Sequence, residues 1–401
     1  MNYLLASRFN KVKVSTTMKF NATVNSLIAE GNDVVDFTVG EPDFPTPDHI
    51  KKAAKEAIDI NYTKYTVNPG RIELRKAIIN KLKKDNNLNY EISDIIVSNG
   101  AKQSIYNAVN ALVDEGDEVI IPAPYYVSYP EMVNLAKGIP VLIETKEGNG
   151  FKLTPDELRK AVTNNTKVFI ICNPNNPTGT AYNEKELRDL AKVIEDKEIY
   201  VLSDEIYEKI IYDNFKFVSF ASLSEKIKSK TVVINGASKA YSMTGWRIGY
   251  AAGPKEIIAG CNIVQSHSTS GASSISQYAA TAALSGSYEA TDKMVNEFAR
   301  RRDYMLKRLK EINNITFCKP LGAFYIFINI SSFFGKKWNN KIIKDSTDLS
   351  YYILDEGKVG VVPGPGFGME GYIRLSYSTS IENIEKGMDR IIKAFKKLES
   401  V

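Results

Sequence analysis

Apolar and polar positions fall in alternating blocks along this chain, and the blocks predict strands that run into polar loops and then helices. Three β-branched runs each end in polar residues: KVFIICNPNNPTG at 167–179, IYVLSDEIY at 199–207 and TVVINGASK at 231–239. Between the first two, Leu187, Leu190, Ala191 and Ile194 recur at helical spacing, and Asn183 with Glu186 has the form of a helix-starting capping box. Strand, helix and strand in succession imply a mostly parallel sheet covered on both faces. Residues 93–114 repeat the form, with a strand ending near Ser98, a turn at Gly100, and a helix from about Lys102 carrying Ile105, Val109 and Leu112 on one face. Residues 117–129 read as a strand entering an aromatic loop. Open sheets of this kind bind ligands outside the carboxyl ends of their strands, so polar and aromatic exits converging there predict a single site.

After about residue 290 the pattern changes. Residues 297–312 read as a long charged helix, 322–330 as a strand, 348–364 as a helix and strand, 372–378 as a further strand, and 381–400 as a terminal helix. The expected organisation is a large three-layer α/β domain over 46–289 and a smaller α+β domain over 290–401, with residues 1–45 joining the smaller one.

Composition narrows the function. The chain has 401 residues, 43% hydrophobic and 25% charged, the balance of a soluble globular protein. Its net charge of +5 comes from 52 basic and 47 acidic residues interspersed along the chain, which argues against a nucleic-acid partner. Runs such as Lys81–Lys84 and Arg300–Arg302 read as solvated helix faces. Three scattered cysteines, Cys172, Cys261 and Cys318, fit a reducing, cytoplasmic compartment, and Cys172 reads as a small buried side chain. Two histidines, His49 and His267, are too few for a multi-histidine metal site, and no metal is expected. No apolar stretch approaches the roughly 20 residues of a membrane helix, so no membrane partner is expected. The first 29 residues carry Arg8, Lys11, Lys13 and Lys19 without an acid, a composition that by itself suits a targeting peptide.

Candidate chemistry sits at the strand exits. Lys239 leaves a strand among Gly236, Ala237, Ser238 and Ala240, small neighbours that let its amine approach a ligand, with Arg247 eight positions on. Desolvated amines of this kind acquire lowered pKa values and form imines with carbonyl compounds. Asp204 stands at a strand end; a carboxylate there can keep the ring nitrogen of a pyridine cofactor protonated. Tyr207, and Asn176 in the NNPTG loop with its turn-forming Pro177 and Gly179, are placed to reach that ring's phenolate oxygen. Tyr126 offers a flat face for stacking. Gly100, Ala101 and Lys102 open a helix whose amides and dipole favour a phosphate, and Arg247 can add a bidentate contact. Arg374, on a strand of the second unit, is a candidate clamp for a substrate carboxylate. Taken singly, each residue is more often a surface charge, a turn or a packing side chain.

In order and at these separations, the segments resemble the fold-type I pyridoxal-phosphate aminotransferases of class I, the aspartate aminotransferase-like family in its bacterial-type branch. The resemblance runs through KVKVSTTM, VGEPDFPTP, TKYTVNPG, NGAKQ, PYYVSYPEM, NPNNPTG, SDEIYE, SKAYSMTGWRIGYAAGP, GAFY, VVPG and IRLSYSTS. Starting near residue 5, it leaves no room for a cleaved presequence. It implies pyridoxal 5'-phosphate held as an imine by Lys239, which then moves the proton between substrate α-carbon and cofactor. It also implies Asp204 at the ring nitrogen, Tyr207 and Asn176 at the phenolate oxygen, and Tyr126 on the ring where tryptophan often stands. Gly100, Ala101, Lys102 and Arg247 would surround the phosphate. Gly40 and Arg374 would take the substrate carboxylate, with Tyr126 and Asn176 beside the substrate. Tyr65 resembles the catalytic-site tyrosine that reaches the neighbouring subunit's phosphate, which implies a homodimer with shared sites.

The implied substrates are amino acids and 2-oxo acids. The leading expectation is L-aspartate with 2-oxoglutarate by a ping-pong mechanism; aromatic amino acids, prephenate and alanine are alternatives. No arginine lies between Arg247 and Arg300, where some aspartate-specific members carry one for the distal carboxylate, so Lys13 and Lys102 are the candidates for that contact. Two other classes fit poorly. The glycines of VVPGPGFG do not form a dinucleotide fingerprint, and residues 1–40 are too short for the DNA-binding module of a regulator built on this fold.

Overall fold

The structure, a computed structural model, describes residues 6–12, 16–338 and 341–399. Its largest sheet has seven strands, in the order Ile95–Ser98, Gly249–Ala252, Thr231–Gly236, Tyr200–Asp204, Thr166–Cys172, Glu118–Ala123 and Ile139–Glu144. Central strands such as Thr231–Gly236 are buried along their whole length, which is why they read as continuous apolar runs rather than alternating ones. The Glu184–Ile194 helix begins as its sequence predicts. Asn183 caps Glu186 N–H, the Glu186 carboxylate returns to Asn183 N–H, and Leu187, Leu190, Ala191 and Ile194 face the sheet.

Register decides what meets at the carboxyl ends. Cys172 lies opposite Asp204, and Asp204 opposite Ile234, so the loops after these three parallel strands leave side by side. The Gly249–Ala252 strand alone runs against its neighbours, pairing Gly249 with both Gly236 and Ser98. Because it starts where the others end, Arg247 arrives at the same rim as Gly100 and Lys239.

A second, antiparallel sheet orders Val362–Pro363, Tyr372–Ser376, Tyr325–Asn329 and Thr316–Phe317. The helices Glu289–Leu309, Ser346–Gly357 and Ile381–Glu399 pack with it around Phe298, Met305, Leu349, Ile353, Ile384 and Met388. Val35–Asp36 pairs in parallel with Val359–Gly360, bringing this early strand to this part of the fold. The two sheets approach closely at Gly179, whose carbonyl accepts Leu321 N–H and Gly322 N–H. Its φ is +68°, and a Cβ there would stand 2.7 Å from the Tyr325 carbonyl oxygen.

The charged runs need correcting. Lys83, Lys84 and Arg300 are exposed, but Lys81, Arg301 and Arg302 are buried. Lys81 meets Glu208, Arg301 pairs with Asp43 and Glu297, and Arg302 pairs with Asp213 and Asp303. Charge alone does not reveal which face of a helix finds counter-ions inside the protein. Among the described residues, no helix is long and apolar enough to cross a membrane.

Candidate active site

A cavity of about 560 Å³ opens where the strand exits meet the second sheet, within the range of small-ligand sites. Gly40, Ala101, Lys102, Tyr126, Asn176, Asp204, Tyr207, Lys239, Arg247 and Arg374 all line it. The structure thus brings together every candidate except three. Gly100 lies just behind the wall, Tyr65 is fully exposed elsewhere on the chain, and Lys13 is outside the described residues.

Lys239 projects from the small-residue loop, and its Nζ donates to the Gly40 carbonyl oxygen. Burial is the largest influence on its ammonium, and with Arg374 and Arg247 it brings the pKa down to about 8, against the opposing pull of Glu41 and Asp204. An appreciable share of the amine is therefore neutral near physiological pH. Asp204 is 5% exposed, and burial raises its carboxyl above the ordinary range. Tyr129 O–H donates to its Oδ2 at 2.6 Å and Ile206 N–H to its Oδ1 at 3.3 Å, both favouring the carboxylate.

Tyr207 and Tyr325 share a hydrogen bond of 2.9 Å between their hydroxyls. Burial pushes Tyr325 up to about 12 and Tyr207 well above its usual value, so both remain protonated phenols. Arg374 is buried beneath the cavity. Its Nη1 donates to Asn176 Oδ1 at 3.0 Å and its Nη2 to the Thr38 carbonyl at 2.7 Å, while among the described residues its Nε has no hydrogen-bond partner. Its guanidinium carbon stands 4.3 Å from the centre of the Tyr325 ring. With the Asn176 oxygen so engaged, that amide's N–H₂ remains to donate to a ligand.

The anion-binding end is built from two converging donor sets. The Ala101–Leu112 helix starts one residue earlier than its sequence predicts, with Gly100 as N-cap at φ +86°. Its leading amides have no partner within the helix. Arg247 adopts the left-handed conformation at φ 57° and is held by bonds from Nη1 to the Thr244 carbonyl and Nη2 to the Asn99 carbonyl. The fit is close: a Cβ on Gly100 would lie 2.2 Å from Arg247 Nη2. Tyr126 packs edge-on against Tyr129, and Lys102 Nζ lies 5.5 Å from the centre of the Tyr126 ring.

Sequence reasoning missed several wall residues. Tyr129 and Tyr325 are almost fully buried and gave no separate signal, although Tyr129 closes the PYYVSY segment already marked by Tyr126. Asn21 and Asn25 reach the cavity from the Thr16–Ala29 helix, whose polar residues gave no ligand signal. Thr38 and Ser238 flank the named residues in sequence and also line the cavity.

Comparison with known proteins agrees with this arrangement. Residues 32–391 match the family described as aminotransferase class I and II. A probable aspartate/prephenate aminotransferase of Rickettsia felis is 46% identical over 393 residues, covering 98% of this chain and 96% of that protein. An aspartate aminotransferase of Bacillus subtilis is 45% identical, covering 96% of this chain and 98% of its own. The crystal structure of the aspartate aminotransferase from Rhizobium meliloti superposes with a TM-score of 0.95 at 42% identity, covering 99% of this chain and 100% of that one. A fold, a cavity and relatives that agree over nearly the whole length leave one assignment: this chain belongs to the class I and II aminotransferases.

Proposed function

We propose that the protein transfers the amino group of L-aspartate to 2-oxoglutarate, giving oxaloacetate and L-glutamate by a ping-pong mechanism with pyridoxal 5'-phosphate. The observation that carries this reading is the sharing of one cavity by a buried arginine and a lysine with a lowered pKa. The residues present suit the cofactor. Arg247 and the helix start at Gly100, Ala101 and Lys102 offer donors for its phosphate. Asp204 is a buried carboxylate in need of a cationic partner, and Tyr126 offers a ring face. Tyr207 and Asn176 offer donors for the phenolate oxygen. When bound, such a cofactor supplies a carbonyl carbon for amine exchange and a ring that withdraws electrons.

The chain's own residues do the rest. Arg374 binds the substrate α-carboxylate and, with Gly40 and Asn176, fixes which bond of the α-carbon faces Lys239. The neutral Nζ of Lys239 takes the proton from that α-carbon and holds it for return. Tyr207 and Tyr325, kept protonated by burial, offer hydroxyl donors in the same cavity, the Tyr207 ring centre 5.9 Å from Lys239 Nζ.

The distal carboxylate of aspartate is assigned to Lys102, to Lys13, or to both. Lys102 stands exposed at the cavity beside Tyr126, and the helix following Lys13 delivers Asn21 and Asn25 to the same space. Lys102→Ala and Lys13→Ala should each raise KM for aspartate by about tenfold, the value of one charge-assisted contact, and change KM for alanine or phenylalanine far less. Equal effects on all three donors would overturn the assignment. Prephenate is the second acceptor to test, because the Rickettsia relatives bear names that include it; a panel of keto acids with aspartate as donor decides between them.

The reading includes a homodimer in which Tyr65 completes the neighbour's phosphate site. Tyr65 is fully exposed, and Val67 and Ile263 beside it are 60% and 62% exposed, an apolar patch suited to a partner surface. Asn68 and Asn262 hydrogen-bond to each other, so the two segments present that patch together. The division into a 46–289 cofactor domain and a 290–401 domain joined by residues 1–45 belongs to the same proposal, as does a cytoplasmic location, which the three free cysteines suit.

A further inference from the structure

The turn after the Tyr200–Asp204 strand has two faces. Asp204 and Tyr207 face the cavity, while Glu205 and Glu208 are buried outside its lining. Glu205 accepts from Ser203 Oγ, Ser219 Oγ and Phe220 N–H. Glu208 accepts from Lys81 Nζ, from Asn86 Nδ2 at 2.6 Å, and from Asn235 Nδ2 at 2.8 Å. Asn235 in turn accepts Gly236 N–H at 2.7 Å, four residues before Lys239. Asp85, Lys209 and Tyr288 extend the cluster.

Burying Lys81 with Glu205 and Glu208 is rarely the cheapest way to hold a fold, since well-packed apolar residues of similar volume do as well or better. What the cluster supplies is a fixed distance between two chain segments. Glu208 adjoins Tyr207, and Asn235 is the last residue but one of the strand that leads into the Lys239 loop. We propose that Glu208, bridged to Asn235 and neutralised by Lys81, is a positioning residue that sets Tyr207 and Asp204 in register with Lys239. The inference rests on the assignment of those three residues to pyridoxal phosphate. It adds that their alignment is enforced from behind the sheet.

Asn235→Ala tests it, because it cuts the bridge and leaves Lys81 paired with Glu208. In the holoenzyme the pH midpoint of the bound cofactor's visible absorption should shift by about half a unit or more. The cofactor dissociation constant should rise about tenfold, the loss of a hydrogen bond to a charged group. KM for aspartate should stay within about twofold, since Arg374 is not attached to the cluster. A lowered Tm with midpoint and cofactor affinity unchanged would make the cluster merely structural and overturn the proposal. Should Asn235→Ala fail to fold, the charge-balanced pair Lys81→Met with Glu208→Leu decides. The same shifts uphold the proposal, and wild-type values reject it. Wild-type protein that never acquires the visible band would instead overturn the cofactor assignment itself, whatever the variants do.

Discussion

Arg302 and Arg374 are both buried arginines, and the fold treats them oppositely. Arg302 is saturated by acids: its two Nη atoms each meet an oxygen of Asp213 at 2.9 Å, and its Nε meets Asp303 at 2.9 Å. Among the described residues Arg374 forms no salt bridge, and its Nε is left without a partner. The lysines repeat the contrast, since Lys81 is matched by Glu208 whereas Lys239 touches a carbonyl. The electrostatics follow: burial pulls both guanidinium groups down, but Asp213 and Asp303 together outweigh it and raise the pKa of Arg302, while that of Arg374 stays lowered. Buried charge completed by the protein is architecture. Buried charge left incomplete beside a cavity is a site, because desolvation is already met and an anionic or carbonyl ligand supplies the missing partner.

Exchanging each arginine should separate the two roles. Arg374→Ala should lower kcat/KM for every amino donor by on the order of a thousandfold, two charge-assisted hydrogen bonds at roughly 2 kcal/mol each, without lowering Tm. Arg302→Ala should do the reverse, costing about 3 kcal/mol in a denaturant titration and leaving kcat/KM of the folded fraction near wild type. An Arg374 variant that is destabilised but active would erase the distinction.

The same pair makes a pH prediction. Asp213 is held down to about 2, chiefly by hydrogen bonds from Arg302, against an ordinary 3.8. A depressed carboxyl contributes stability that is whole above pH 3.8 and is lost as pH falls toward 2. Arg302→Ala should therefore flatten the stability profile across that acid window, as followed by thermal melts at stepped pH.

The smallest effect belongs to Tyr129. Tyr129→Phe keeps the ring and removes the 2.6 Å bond to Asp204, so it should weaken cofactor binding by about tenfold. Unchanged affinity would make that bond incidental to the site.

The sequence exposed the parts of this design that local rules encode. Helix caps, buried strands and small-residue loops have local signatures, so Asn183, the apolar run from Lys167 to Cys172 and the loop before Lys239 were legible. Strand direction has no such signature, and the reversal of Gly249–Ala252, which delivers Arg247, emerges only from the paired register. Counter-ions distant in sequence were equally hidden. Lys81 and Glu208 are 127 positions apart, and Arg302 and Asp213 are 89, so their runs read as solvated faces. Arg374 was named, but that it lacks a carboxylate partner could be learned only from its surroundings.

Lys239 is the sharpest point of the contrast, a half-buried amine whose surroundings bring its pKa down to about 8. Protein loaded with pyridoxal phosphate, reduced with borohydride, digested and weighed peptide by peptide tests it directly. The account predicts a visible band that reduction abolishes, the cofactor's mass fixed on the peptide containing Lys239, and a rate of band formation that rises as pH climbs through about 8. Label on another lysine, or a band that survives in Lys239→Ala, would contradict it.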